Sequence, residues 1–294
     1  MIKHIVLGCG GPTGFINMGI LKYLYEKKFW NYNDVESIYG SSVGAVMAIV
    51  ISLKINPNDI ESYIIHRNWS KYIEFTPSKL FNAFQNKHLI DSAFIHDFLK
   101  TLLYSVDLDE HTTLLDLYKK SGIFLHIYTV DLNTPDLTPI ELNHETFPEL
   151  TVIKAAEMTC AIPILFKPIY YKEHFYIDGG LLNGFPLNHC LSHHKNVNEI
   201  LAIQNEFDFK NTLLDDKSSM ISILGVLIKK ILQKLDTPTY DKIPYYIYVD
   251  KSLAKSLCSI SLSLWKDCLI DKKIRKKLIK GGRIIGKTFL KSIK

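Results

Sequence analysis

Val35-Glu36-Ser37-Ile38-Tyr39-Gly40-Ser41-Ser42-Val43-Gly44, followed by the apolar run Ala45 to Leu53, decides the fold. Val35 to Tyr39 reads as a short, half-apolar strand, and Gly40 to Gly44 as a turn. The run to Leu53 reads as a helix buried on most sides, stopped by Asn56-Pro57. Strand, sharp turn and helix are the context that G-x-S-x-G requires, and Ser42 stands at its centre. The glycines answer a steric need, because a residue at the tip of such a turn takes strained backbone angles. The amide of Val43 opens the helix without an intrahelical partner. It can therefore donate to an oxyanion, aided by the helix dipole.

Working upstream, Ile2 to Leu7 reads as a buried strand leading into Gly8-Cys9-Gly10-Gly11-Pro12-Thr13-Gly14. Ile16, Ile20, Leu21 and Leu24 then mark a helix face. The amides of Gly10 and Gly11 could face a crevice at the carboxyl ends of the strands and stabilise a tetrahedral intermediate. The competing reading is a dinucleotide loop built on Gly8, Gly10 and Gly14, one residue longer than the usual fingerprint, with Glu36 as the ribose-binding acid.

Downstream, residues 58–120 read as mixed helix with breaks near Pro77 and Asp107. A strand is expected over Gly122 to Asp131, then a loop through Asn133-Thr134-Pro135-Asp136 and Pro139. Thr151 to Thr159 reads as a helix. Phe175 to Ile177 reads as a strand ending in Asp178-Gly179-Gly180, and Glu199 to Asn205 as another strand. An Asp at a strand end followed by glycines can reach across a crevice, and it is also an ordinary β-turn opening.

These segments together resemble the patatin-like phospholipase family. Leu7 to Gly14 stands where that family has its glycine-rich loop, and Gly40 to Gly44 stands at its nucleophile motif. Ala155-Ala156-Glu157-Met158-Thr159-Cys160-Ala161-Ile162-Pro163, with Phe166 and Pro168, is similar to its small-residue segment. Asp178-Gly179-Gly180 is similar to its D-G-[GA] motif, with Asn183 and Pro186 following. Order and spacing hold over about residues 2–205. Cys9 replaces the first glycine of the family's triplet, and Thr13 replaces its Arg or Lys.

The resemblance implies an α/β fold: a three-layer α/β/α sandwich with a mostly parallel central sheet and a helical C-terminal part. It implies a serine lipid acyl hydrolase of phospholipase A or esterase type, with Ser42 as nucleophile and Asp178 as its base, without histidine, cofactor or metal. Gly10, Gly11 and Val43 would form the oxyanion hole, and Gly8, Gly14, Gly40, Gly44, Gly179 and Gly180 would shape the turns. Residues 1–210 would form the catalytic domain and 211–294 an extension packed on it. Two other readings stay open. One is a weakened lipid-binding relative, motivated by Thr13. The other is a Ser-Asp-His triad using His189, His193 or His194, although only two strands fit before Ser42.

Composition narrows the setting. The 294 residues are 47% hydrophobic and 22% charged, as in ordinary globular proteins. Five irregularly spaced cysteines suit reduced thiols rather than a disulfide framework. The longest spanning candidate, Val43 to Leu53, is far below the roughly 20 residues a bilayer needs. A soluble cytoplasmic or intracellular protein is expected. Met220 to Leu235 has helical spacing and reads as a core-facing helix. From Lys266 onward, nine Lys and two Arg face only Asp267 and Asp271, a net charge of +9. Ile270, Ile274, Leu278, Ile285, Phe289 and Ile293 form a stripe there, expected as two helices divided at Gly281-Gly282. Such a basic amphipathic segment suits peripheral contact with an anionic membrane. No nucleic-acid motif accompanies it.

Overall fold

The computed structural model describes residues 1–72, 93–163, 165–205, 243–249 and 262–293, with scattered positions between 214 and 230. Its centre is an eight-stranded sheet. Strands β1 (His4–Leu7), β2 (Ser37–Ser41), β3 (Phe124–Asp131), β4 (Pro139–Leu142), β5 (Ile169–Tyr171), β6 (His174–Asp178), β7 (Ile200–Asn205) and β8 (Tyr246–Val249) lie in the order β5-β6-β3-β2-β1-β7-β8, with β4 also paired to β3. The five strands from β3 to β8 run parallel; β4 and β6 run antiparallel to β3, and β5 pairs antiparallel with β6. Near-continuous burial of β1, β2 and β7 is what a parallel sheet covered on both faces demands.

Alternation along the strands divides the interior. Ile5, Leu7 and Ile38 face a large core with most of the helices: α1 (Gly14–Glu26), α2 (Val43–Ser52), α3 (Pro57–His66), α4 (Ala93–Tyr104), α5 (Leu114–Ser121) and α6 (Val152–Thr159). Val6, Tyr39 and Tyr128 face a smaller core covered by Leu187 and Cys190 of α7 (Leu187–His193). This is the three-layer α/β/α sandwich expected, with a mostly parallel centre.

Local chemistry sets several helix ends. Asn56 accepts a bond from the Asn58 amide and Pro57 takes the first helical position, so Asn56-Pro57 starts α3 rather than stopping α2. Thr113 and Asp116 form a capping box on α5, and Gly122 closes it in the left-handed region. Pro139 opens β4, where a loop was expected, because Pro at the start of an edge strand loses no ladder bond. The three-residue strand β5 escaped the sequence reading.

The C-terminal part supplies a strand as well as helices. β8 extends the sheet beside β7, and α8 (Leu262–Ile270) runs into α9 (Lys272–Ser292). The expected boundary at 210 and most of the Met220–Leu235 stretch lie outside the described residues. α9 is one continuous helix, so Gly281-Gly282 does not divide it. A Cβ at Gly282 would fall 2.0 Å from the Ile16 carbonyl oxygen of α1, and one at Gly19 would fall 2.0 Å from that of Ile279. Gly282 therefore serves close backbone contact, whereas Gly281 faces open space. Leu278, Ile285 and Phe289 are buried, so the middle of the stripe is spent on the protein itself, while Ile270 and Ile293 at its ends are exposed. Arg275 is buried among carbonyls at the ends of two helices, donating to Cys268 at 2.7 Å and Ile65 at 2.7 Å. Among the described residues no helix is long and apolar enough to cross a membrane.

Candidate active site

β2 ends at Ser41 and α2 begins at Val43, which leaves Ser42 alone at the turn with φ 54° and ψ −128°. Few non-glycine residues tolerate that region, and the strain is held only if the surroundings over-determine it. They do so here. The Ser42 amide donates to Thr159 Oγ1 at 2.9 Å, and that hydroxyl donates to the Tyr128 carbonyl at 2.5 Å. Gly44 is forced by contact with β1, since a Cβ there would lie 2.3 Å from the Leu7 carbonyl oxygen. Gly40 and Gly14 are similarly hemmed in, by the Gly44-Ala45 backbone and by Val43.

The Ser42 hydroxyl donates to Asp178 Oδ2 at 2.7 Å. Asp178 ends β6 opposite Thr129 of β3, 136 positions from Ser42 in the chain. Its other oxygen accepts the Gly180 amide at 2.7 Å. Gly179 passes so close to β3 that a Cβ would meet the Tyr128 carbonyl oxygen at 2.0 Å. Asp178 is buried, and burial pushes its carboxyl up to about 7, although the bonds from Ser42 and Gly180 pull the other way.

The loop after β1 approaches the same point. Gly10 has φ 152° and Gly11 φ 54°, angles that suit glycine. Cys9 keeps an ordinary negative φ, so the family's glycine is not needed there. Thr13 is buried and donates its hydroxyl to the Gly10 carbonyl at 3.1 Å, while its amide donates to the same oxygen at 3.2 Å. Asn205 at the end of β7 donates to the Cys9 carbonyl at 3.0 Å. Among the described residues none accepts a bond from the amides of Gly10, Gly11 or Val43.

An apolar cleft of about 790 Å³, including its open mouth, starts at Ser42. Val46, Met47, Ile64, Phe94 and Phe98 line it, and Trp265 and Leu269 of α8 close one wall. Thr159, Asn205 and Trp265 were missed as site residues from sequence. Thr159 sat within the small-residue segment, but nothing local marks its hydroxyl as the clamp on Ser42.

The histidines are elsewhere. His193 and His194 bond to the Tyr39 hydroxyl at 2.9 and 3.1 Å, and His189 meets Asn183 at 3.3 Å. Among the described residues no histidine bonds to Ser42 or Asp178, which removes the triad. Glu36 fails as a ribose-binding acid for a related reason. It precedes β2, at the opposite end of the strand from the glycine loop, and pairs with Lys3 at 3.2 Å.

The model of the patatin-like phospholipase family matches residues 5–191, which hold Ser42, Asp178 and the glycine loop. The chain belongs to that family. As a patatin-like protein, it is 25% identical over 199 residues to the probable lipid hydrolase 463L of Invertebrate iridescent virus 6, covering 67% of this chain and 66% of that one. It is 26% identical over 239 residues to the triacylglycerol lipase ptl3 of Schizosaccharomyces pombe, covering 73% of this chain and 47% of that one. Among solved structures, VipD of Legionella pneumophila aligns over 99% of this patatin-like chain and 67% of its own, with TM-score 0.51 and 14% identity. ExoU of Pseudomonas aeruginosa, in its complex with SpcU, aligns over 99% and 52%, with TM-score 0.52 and 14% identity. These two share the fold. The chain spans two thirds or less of the length of the curated relatives it matches.

Proposed function

We propose that this chain is a serine lipid acyl hydrolase, of phospholipase A or esterase type, working through a Ser42–Asp178 dyad. The observation that carries the reading is the 2.7 Å bond from a strained Ser42 to a buried carboxylate. A serine hydroxyl is a weak nucleophile until a base takes its proton. A carboxyl pushed up to about 7 is a far better base than an ordinary one. Oδ1 is occupied by the Gly180 amide, so Oδ2 takes the Ser42 proton as Oγ attacks the ester carbonyl. The amides of Gly10, Gly11 and Val43 stand ready to bind the oxyanion. Asp178 then returns the proton to the departing alcohol. Water enters and attacks the acyl carbon while giving a proton to Asp178, which passes it to Ser42 Oγ as the acid leaves. The apolar cleft suits an acyl chain.

Thr13 supports activity rather than loss of it. Its two bonds to the Gly10 carbonyl hold the loop without the family's cation. In this reading residues 1–210 carry the chemistry, and 211–294 pack on them and lend Trp265 and Leu269 to the cleft. The outer face of α9 exposes Lys272, Lys273, Lys276, Lys277, Lys280, Lys287 and Lys291, a surface that suits an anionic membrane. With the middle of the stripe buried, that contact would be mainly electrostatic, so salt should weaken vesicle binding.

Ser42→Ala tests the chemistry. It should abolish hydrolysis of a p-nitrophenyl ester and labelling by a fluorophosphonate, while Ser41→Ala keeps both. Turnover retained by a folded Ser42→Ala protein would overturn the dyad.

A further inference from the structure

Three tryptophans are buried, and two of them spend their indole N–H inside the protein. Trp30 donates to the Leu21 carbonyl at 3.0 Å and Trp69 to the Ile64 carbonyl at 2.8 Å. Trp265 is also buried, at 8% exposure, yet among the described residues its Nε1 has no acceptor. A buried donor without a partner is costly, and natural cores rarely retain one. Where one persists at a functional site, a ligand can supply the missing acceptor.

The position of this donor says what that acceptor is. Trp265 lines the cleft that begins at Ser42. The Phe166 and Phe94 rings stand edge-on to it, with centroids 5.7 and 6.5 Å away, and fix the indole plane. Its N–H edge lies on the glycine loop. A Cβ at Gly11 would fall 2.6 Å from Cζ2 and 3.2 Å from Nε1. The indole edge that carries the N–H therefore packs against Gly11, where both residues line the cleft. The remaining lining is almost wholly apolar, so an oxygen of the substrate ester is the acceptor that chemistry offers.

We propose that Trp265 Nε1–H is a further substrate donor, bonding the acyl carbonyl oxygen beside the Gly11 amide. This rests on the acyl hydrolase reading above. The bond strengthens as the carbonyl oxygen gains charge, so its effect falls on the transition state more than on the bound ester. It also accounts for Gly11 sterically, because any side chain there would displace the ring that carries the donor. The C-terminal part thus completes the site rather than merely covering it.

The test removes the N–H without removing the ring. β-(3-Benzothienyl)alanine at position 265 replaces N–H by sulfur at nearly unchanged volume. Trp265→Phe serves as a second variant, and thermal melts check that both are folded. Hydrolysis of a p-nitrophenyl ester and the rate of Ser42 phosphonylation are read on the full chain. We expect kcat to fall about 10- to 100-fold in the benzothienyl protein, with KM little changed and phosphonylation slowed in parallel. In the unsubstituted protein, phosphonylation should shift indole emission, and Trp265→Phe should abolish that shift. Unchanged kcat, or a rise in KM alone, in a folded benzothienyl protein overturns the inference and leaves the dyad standing. An unsubstituted protein that neither hydrolyses ester nor takes the phosphonate overturns both.

Discussion

Asp178 and Glu141 are carboxylates on strands paired to β3, opposite the consecutive residues Thr129 and Tyr128. Consecutive strand residues face opposite sides of a sheet, and the two carboxyls meet opposite fates. Asp178 turns toward the cleft, where burial dominates and raises it to about 7. Its partners are one hydroxyl and one amide, both uncharged. Burial also pushes Glu141 upward. Bonds from His126 at 2.7 Å, Asn143 at 2.6 Å and Tyr128 at 3.1 Å, with the charge of His126, more than offset this and hold it down to about 2. The histidine-rich side thus favours the ionised form of its carboxyl, and the cleft side the neutral form. Desolvation acts on both, and the supply of donors decides which carboxyl is raised and which is held down.

The sharpest test substitutes each carboxyl by its amide. Asp178→Asn should lower kcat by about 10²–10⁴-fold, the usual worth of a general base, while Glu141→Gln leaves turnover of the same order. Comparable losses in two folded proteins would break the contrast. A pH profile comes next. In the proposed mechanism the active form carries ionised Asp178, so kcat/KM should rise with pH through an inflection near 7, and Glu141→Gln should leave that inflection in place. An inflection in the ordinary carboxylate range would mean that Asp178 is not the base.

Stability should divide the pair in the opposite sense. Glu141 is depressed from 4.5 to about 2, so its contribution is full above 4.5 and lost as pH falls toward 2. At neutral pH, Glu141→Gln should cost about 1–3 kcal/mol through its weakened charged hydrogen bonds. Asp178 is raised from 3.8 to about 7, so folding is favoured below 3.8 and that advantage fades as pH climbs to 7. Asp178→Asn should therefore gain Tm relative to the parent at pH 8 compared with pH 5. Urea or thermal melts at both pH values measure this, and a constant difference would contradict the raised carboxyl. The smallest effects belong to His193→Ala and His194→Ala. Each removes a bond to Tyr39 and should cost about 1 kcal/mol of stability, with kcat nearly unchanged. A catalytic loss matching that of Asp178→Asn would restore the triad.

Much of the site is legible in sequence because its constraints are local. The turn at Ser42, the glycines around it and the Asp at a strand end follow from steric rules that act within a few residues. Burial and partnership are not local. Gly281 and Gly282 are adjacent and identical in sequence, yet one faces open space and the other touches the backbone of α1. A pattern reading took them for a break, since only the packed helix distinguishes a weak spot from a point of contact.

By itself, then, the sequence determined the strand–turn–helix around Ser42, the glycine loop, the acid at the end of β6 and the alternation that builds a covered parallel sheet. Tertiary structure alone decided that Asp178 rather than a histidine meets Ser42, and that Thr159 clamps the Ser42 amide. It also decided that the apolar stripe of α9 packs inward, and that Trp265 reaches Gly11 from 254 positions away. The reason is physical. Backbone sterics are written in neighbouring residues, whereas desolvation and hydrogen-bond supply depend on which distant segments the fold brings together.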